Sequence, residues 1–206
     1  MKFENQKDKQ LLQEWGLKSK NLPVKVFVPL RYYDDYIEKG IPADEKFALD
    51  ITEMNAEDWI IIFGLEIINP IAILIERTIT NIKQKKDFSL KEIIEEIEKD
   101  TKAEKQHRDS AVALFEAAET WGIFASSSEE ATKVKDLINA GTTSVLDLSV
   151  YNAVGTFNVR ALVISLVSRK IFNQRMSARK KEEIESVNKG LEFLSGTEKK
   201  EHPLVW

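Results

Sequence analysis

Cysteine is absent from the 206 residues, which excludes disulfides, thiolate zinc sites and cysteine nucleophiles. Only two histidines occur, His107 and His202, far apart and in charged surroundings. An imidazole metal site needs several converging ligands, so both read as solvent-exposed. None of the eight glycines stands in the Gly-x-x-x-x-Gly-Lys-Ser/Thr spacing by which backbone N–H groups wrap a phosphate. The first residues, Met1-Lys2-Phe3-Glu4-Asn5-Gln6-Lys7, lack the apolar centre of a signal peptide, and the longest apolar runs are cut by Gly64, Glu66 and Pro70, short of a bilayer span. No internal repeat is visible. With a net charge of -4 the chain has no global pull toward DNA or anionic membrane, so any nucleic-acid contact needs a local patch. These absences together predict a cytoplasmic protein with no membrane partner.

What is present begins with a short helix over residues 8–15, stopped by Gly16. The β-branched, alternating run Val24-Lys25-Val26-Phe27-Val28, closed by Pro29, reads as a strand. Residues 30–36 read as a polar, aromatic loop, and Phe47-Ala48-Leu49-Asp50-Ile51 as a second strand, with Asp50 turned to solvent or to a cap. From Asn55 the pattern becomes helical. Asn55 with Asp58 caps one helix, Pro70 opens another through Ile82, and Ser89 with Glu92 is a capping box for a helix over 90–105 with an Ile93, Ile94, Ile97 stripe. A small-residue helix over 110–121 ends at Gly122, and Ser127 with Glu130 caps a last helix to Asn139, with Gly141 behind it. The acidic run from Glu92 to Asp100 is interleaved with lysines and reads as a solvated helix face.

The chain is organised around residues 143–183. Thr143-Ser144-Val145-Leu146-Asp147-Leu148-Ser149 reads as a buried strand, followed by a polar connection and a long helix from about Asn158. Along residues 159–167 the apolar positions go round the whole helix, which predicts a core helix covered on most sides. The closing Pro203-Leu204-Val205-Trp206 reads as the start of a further buried strand. Strand, helix and strand is the pattern of a right-handed crossover in a parallel sheet, and the halt at Trp206 suggests a cut-out of a longer protein. Ser149, Tyr151 and Asn152 then fall just past the carboxyl end of a parallel strand, where open α/β sheets place ligands. Asp147 and Ser149 do not make a nucleophile with a base, since no histidine is near in sequence. From Asp147 the next acid is Glu182, while Arg160, Arg169, Lys170, Arg175, Arg179, Lys180 and Lys181 fall between. That asymmetry is either a helix end fanning cations into water or a surface for a polyanion or a neighbouring subunit. Arg175 and Arg179 lie about 40° apart on the helix and are best placed to act together, with Arg169 and Lys170 upstream.

The order of these segments resembles the central part of the HerA-type ATPases, hexameric DNA translocases of the HerA–FtsK group. The resemblance is carried by residues 143–149, by Asn158-Val159-Arg160-Ala161-Leu162-Val163, by Arg169-Lys170 with Ala178-Arg179-Lys180-Lys181-Glu182-Glu183, and by His202-Pro203-Leu204-Val205-Trp206, which is similar to the approach to the family's Walker B strand. Upstream, Glu14-Trp15-Gly16-Leu17, Val26-Phe27-Val28-Pro29, and Ile41-Pro42 through Asp50 continue the match. The resemblance implies an α/β fold, helix-rich overall: a partial RecA-like, P-loop-type core with parallel strands over residues 1–54 and 142–206, and an inserted helical bundle over 55–141. It implies an ATPase and helicase-type translocase as the full-length parent, using ATP and magnesium, acting on DNA as a hexamer in DNA-end processing and repair with a NurA-type nuclease. The phosphate loop and the Walker B acids both lie outside this sequence, so no catalytic, nucleotide-site or metal residue is assigned to a numbered position, and this segment alone is expected to be inactive. The reading from another class is a non-catalytic helical interaction module.

Overall fold

The computed structural model describes residues 9–18, 20–152 and 157–192. The closing strand expected at 203–206 and His202 lie outside the described residues. The chain divides into two compact units, residues 1–163 and 164–206.

In the first unit, α1 (Lys9–Glu14) precedes β1 (Val24–Pro29), and Gly16 takes the positive φ expected of a helix stop. A 3-10 turn (Leu30–Tyr32) and α2 (Tyr33–Glu38) follow, then β2 (Glu45–Phe47) and a second 3-10 turn (Ile51–Glu53). The helical layer comprises α3 (Ala56–Ile62), α4 (Pro70–Ile82), α5 (Leu90–Lys99), α6 (Lys105–Glu119) and the single turn α7 (Val134–Leu137). Next come β3 (Thr143–Leu146), a 3-10 turn (Ser149–Tyr151) and α8 (Phe157–Glu192), whose residues from Ile164 onward belong to the second unit.

The three strands form one parallel sheet in the order β2-β1-β3, with Phe27 opposite both Glu45 and Leu146. Being central, β1 is closed on both sides at its carboxyl end, where Phe27 and Val28 are fully buried. The Asp44 carboxylate extends the pairing, accepting a bond from the Val26 N–H at 2.8 Å.

Several expectations need correction. Residues 30–36 are not a loop: Asp34 and Asp35 in the first turn of α2 complement the positive end of the helix, and Tyr36 is drawn inward to 6% exposure. The second strand ends at Phe47 and does not reach Ile51; beyond it Leu49 makes one isolated bridge to Phe124, because the Asp50 carboxylate captures the Thr52 N–H at 2.9 Å and turns the chain. The helix expected over 90–105 stops at Lys99, since the Asp100 carboxylate accepts from the Lys102 and Ala103 N–H groups. α6 accordingly starts at Lys105, five residues earlier than its small-residue pattern shows. The helix expected over 127–139 shrinks to α7, because Thr132 is tied to Ala48, its N–H bonded to the Ala48 carbonyl and its hydroxyl accepting from the Ala48 N–H. β3 is not buried; its pattern alternates and Val145 is 42% exposed, as suits an edge strand with no described partner on its outer side. Nor is α8 covered all round. Val159, Leu162, Val163 and Leu166 are buried at i, i+3, i+4 and i+7, while Ala161, Ile164 and Ser165 are exposed, so the buried face is one stripe.

The helix starts follow their caps. The Asn55 N–H donates to Asp58 Oδ2 at 2.8 Å, Asn69 Oδ1 accepts from the Ile71 N–H with Pro70 in the first turn, and Ser89 exchanges bonds with Glu92. α3, α4, α5 and α6 pack on one another around Trp59, whose ring lies 4.8 Å from Phe115 and 5.6 Å from both Phe63 and Phe124.

Asp100 ties three of these helices. Its side chain accepts from Arg77 Nε on α4, and its carbonyl accepts from Arg108 Nη1 on α6 at 2.9 Å. The Arg77 guanidinium, followed by the two backbone N–H groups, holds the Asp100 carboxyl below its ordinary value despite burial. A depressed folded value means the pair stabilises fully above the unfolded carboxylate value of about 3.9 and stops doing so as pH falls through the folded one. Asp100→Asn should therefore cost roughly 1–2 kcal/mol at pH 7 and make the loss of stability below about pH 4 shallower. Urea melts at pH 7 and pH 3 decide this; an equal deficit at both would remove Asp100 as a source of the acid response.

Candidate functional site

The carboxyl edge of the sheet gathers polar groups from three places in the sequence. β1 delivers Arg31 and, through α2, Tyr36. β3 delivers Asp147, Ser149, Tyr151 and Asn152. The end of α6 delivers the carbonyls of Thr120, Trp121 and Gly122.

Asp147 prolongs the ladder past β3, its N–H bonded to the Phe27 carbonyl at 2.9 Å. Its Oδ1 accepts from the Ser149 N–H at 2.9 Å, which turns the chain out of the sheet, and its Oδ2 accepts from the Tyr36 hydroxyl at 3.2 Å. The Ser149 hydroxyl lies 3.1 Å from the same Tyr36 oxygen. A carboxylate only accepts, so with the Tyr36 proton directed at Asp147 the Ser149 hydroxyl donates to Tyr36, and the three groups form a directed chain. Burial pushes the Tyr36 phenol above its ordinary value; the Ser149 hydroxyl opposes this and the Asp147 charge adds to it. The phenol is thus a neutral donor at neutral pH.

Tyr151 is different. It is 2% exposed, packs edge-on to Tyr32 and donates to the Trp121 carbonyl at 2.9 Å, and burial holds its phenol well above the ordinary range. It braces the edge and is not presented to a ligand. Asn152 is exposed and its Oδ1 accepts from Arg160 Nη1 at 2.9 Å. Arg31, also exposed, donates its side-chain Nη1 to the Thr120 carbonyl at 2.9 Å and its N–H to the Gly122 carbonyl at 3.1 Å.

The structure thus brings Ser149 and Asp147 together with Tyr36, and Asn152 with Arg160. Tyr36 and Arg31 were missed from the sequence, where they sat in a stretch read as loop; the signal was a polar, aromatic segment directly after the carboxyl end of a strand. Chemically, the edge offers a neutral phenol, a carboxylate and two exposed polar side chains for hydrogen bonding. Among the described residues no imidazole or amine is bonded to Ser149 as a base.

Arg169, Lys170, Arg175 and Arg179 all lie on α8 in the second unit. Arg175 Nη1 pairs with Glu182 at 2.9 Å and Arg179 Nε with Glu183 at 3.2 Å, so the first acids after the basic stretch fold back along the helix onto it. Among the described residues no cluster of histidine and carboxylate side chains suits a metal ion, and no helix is long and apolar enough to cross a membrane. The fold and the site define a helix-rich α/β protein with a small parallel sheet. No family model, curated protein or solved structure matches the chain.

Proposed function

We propose that this chain is the core segment of a ring-forming, ATP-dependent DNA translocase of the HerA type, acting with a NurA-type nuclease in DNA-end processing. The observation that carries the reading is the sheet itself: parallel pairing of β1 with both β2 and β3 places polar side chains from two separate connections at one carboxyl edge. That is where open parallel sheets of the RecA-like kind receive ligands. The sequence has no Gly-rich phosphate loop, and among the described residues there is no group of carboxylates suited to a metal ion. No step of nucleotide chemistry is therefore assigned to a residue of this chain. In this reading Tyr36, Asp147 and Ser149 shape one wall of the ligand edge, while Arg169, Lys170, Arg175 and Arg179 meet DNA phosphate or a neighbouring subunit.

A parent protein carrying the flanking sequence should hydrolyse ATP in a magnesium-dependent, duplex-DNA-stimulated reaction, whereas the 206-residue chain should give no turnover. If the flanks supply no Gly-rich loop before residue 1 and no strand ending in Asp-Glu after Trp206, or if the short chain itself turns over ATP, the proposal is lost. The exposed isoleucines at the ends of α3 and α4 and between them also fit a second reading, a non-catalytic interaction module that would bind its partner without nucleotide.

A further inference from the structure

Among the apolar surfaces that the described residues leave exposed, two differ in charge. The first is the α3–α4 hairpin. Ile61, Ile67 and Ile68 are 74%, 77% and 81% exposed, and Ile73, in the next turn, is 48% exposed. Four isoleucines so close in sequence and so open concentrate exposed apolar surface on one hairpin, and such surface marks a contact. Glu57 stands one turn before Ile61, Glu66 beside Ile67, and Glu76 one turn after Ile73, all exposed. From Phe47 to Glu76 the chain holds six acids and no lysine, arginine or histidine.

The second surface is on α8. Phe172 and Met176 are 64% and 42% exposed and one helical turn apart. At 100° per residue, Arg169, Arg175 and Arg179 all fall within roughly 60° of Phe172. Between Arg169 and Glu183 there are six cations and two carboxylates, a net charge of +4. The ion pairs of Arg175 and Arg179 therefore leave the stretch strongly basic. Arg179 keeps 66% of its side chain exposed while paired.

We infer that the acidic isoleucine hairpin of one copy docks on the basic Phe172–Met176 face of α8 of a second copy. Each surface is apolar at its centre and charged at its rim, with opposite signs, which is the arrangement that aligns partners and repels wrong ones. The two surfaces come from different parts of the chain, so the contact is head-to-tail. A pair joined this way leaves an unused α8 face on one copy and an unused hairpin on the other, so the contact closes into a ring or runs on as a filament according to the rotation it imposes. The inference deepens the ring reading by naming its subunit contact.

The test is sedimentation of the 206-residue chain without nucleotide or DNA, so that a failure here is separate from a failure of the ATPase reading. The wild-type chain should associate in a concentration-dependent way below about 200 µM and less as salt rises. Glu57→Lys with Glu66→Lys and Glu76→Lys should raise the dissociation constant at least about tenfold, as should Arg175→Glu with Arg179→Glu. An equimolar mixture of these two variants should associate again, because the lysine-bearing hairpin of one meets the glutamate-bearing α8 face of the other while the unaltered α8 face and hairpin still complement each other; the combined five-fold reversal in one chain should restore self-association. Ile67→Ser with Ile68→Ser, at fully exposed positions, should abolish association with an unchanged circular dichroism spectrum. A strictly monomeric wild-type chain would overturn the inference and assign the hairpin to another partner. Association insensitive to these variants, or no rescue by the combined reversal, would overturn it by placing the contact on another face.

Discussion

Trp59→Ala should remove about 3–5 kcal/mol of stability, a large part of what a domain of this size possesses. The indole is fully buried and touches three aromatic partners drawn from α3, α6 and the segment after it: Phe63, Phe115 and Phe124. Phe63 in turn packs edge-on to Phe115 at 5.3 Å, and Trp121 lies 6.2 Å from both Phe63 and Phe124, so the rings support one another and cannot collapse separately into the space left by alanine. Trp59→Phe separates packing from polarity. The Trp59 Nε1 has no hydrogen-bond partner among the described residues, and a buried donor without one costs roughly 1–3 kcal/mol. Phenylalanine gives up part of the ring volume and removes that donor, so the two effects offset and the net change should stay within about 1.5 kcal/mol. Urea titrations of the two variants measure both numbers. A phenylalanine variant as unstable as the alanine one would mean that water satisfies the indole N–H in solution and that the donor carries no burial cost.

The sequence made some of this legible and hid the rest for physical reasons. Three helix starts were readable because their signals are local: Asn55 with Asp58, Pro70 in a first turn, and Ser89 with Glu92, whereas α6 begins five residues ahead of its small-residue pattern and the start expected at Ser127 does not form. The central strand was readable because Val24 to Pro29 combines β-branched residues with a terminator. Helix ends were less so. Asp100 stops α5 with its side chain and also answers an arginine 23 residues away, a function invisible in a pattern of lysines and glutamates. The expected helix at 127–139 lost to a tertiary bond between Thr132 and Ala48, which no local propensity encodes. At the candidate site, Ser149 and Asn152 could be placed by position after a strand, but Tyr36 reaches Asp147 across 111 residues of chain. The charge asymmetry of α8 was plain, and the i, i+4 spacing of Arg179 and Glu183 encodes their ion pair locally, while the pair of Arg175 and Glu182 spans two turns.

Gly122→Ala should cost about 3 kcal/mol or more, and its neighbour explains why. Gly122 has φ +61°, which an L side chain adopts only at a cost of about 1–2 kcal/mol. A Cβ there would also sit 2.3 Å from the Arg31 Cβ and 2.5 Å from its Cδ, so either the α6 terminus or the first turn after β1 must move. Neither can move alone. Arg31 is bonded to both the Thr120 and the Gly122 carbonyls, and Tyr151 holds the Trp121 carbonyl between them, so three successive carbonyls at the end of α6 are fastened to the carboxyl edge of the sheet. The guanidinium also suits the negative end of the helix. Displacing this staple would shift Tyr151 and with it the turn that carries Ser149. Arg31→Gly removes the obstructing atoms together with the side-chain bond, so Gly122→Ala in that background should lose only the conformational part, roughly 1–2 kcal/mol. The double-mutant cycle should therefore show a coupling of about 1–3 kcal/mol. Strictly additive losses in urea melts of the four proteins would show that Arg31 yields readily and that the close approach at Gly122 does not fix the edge.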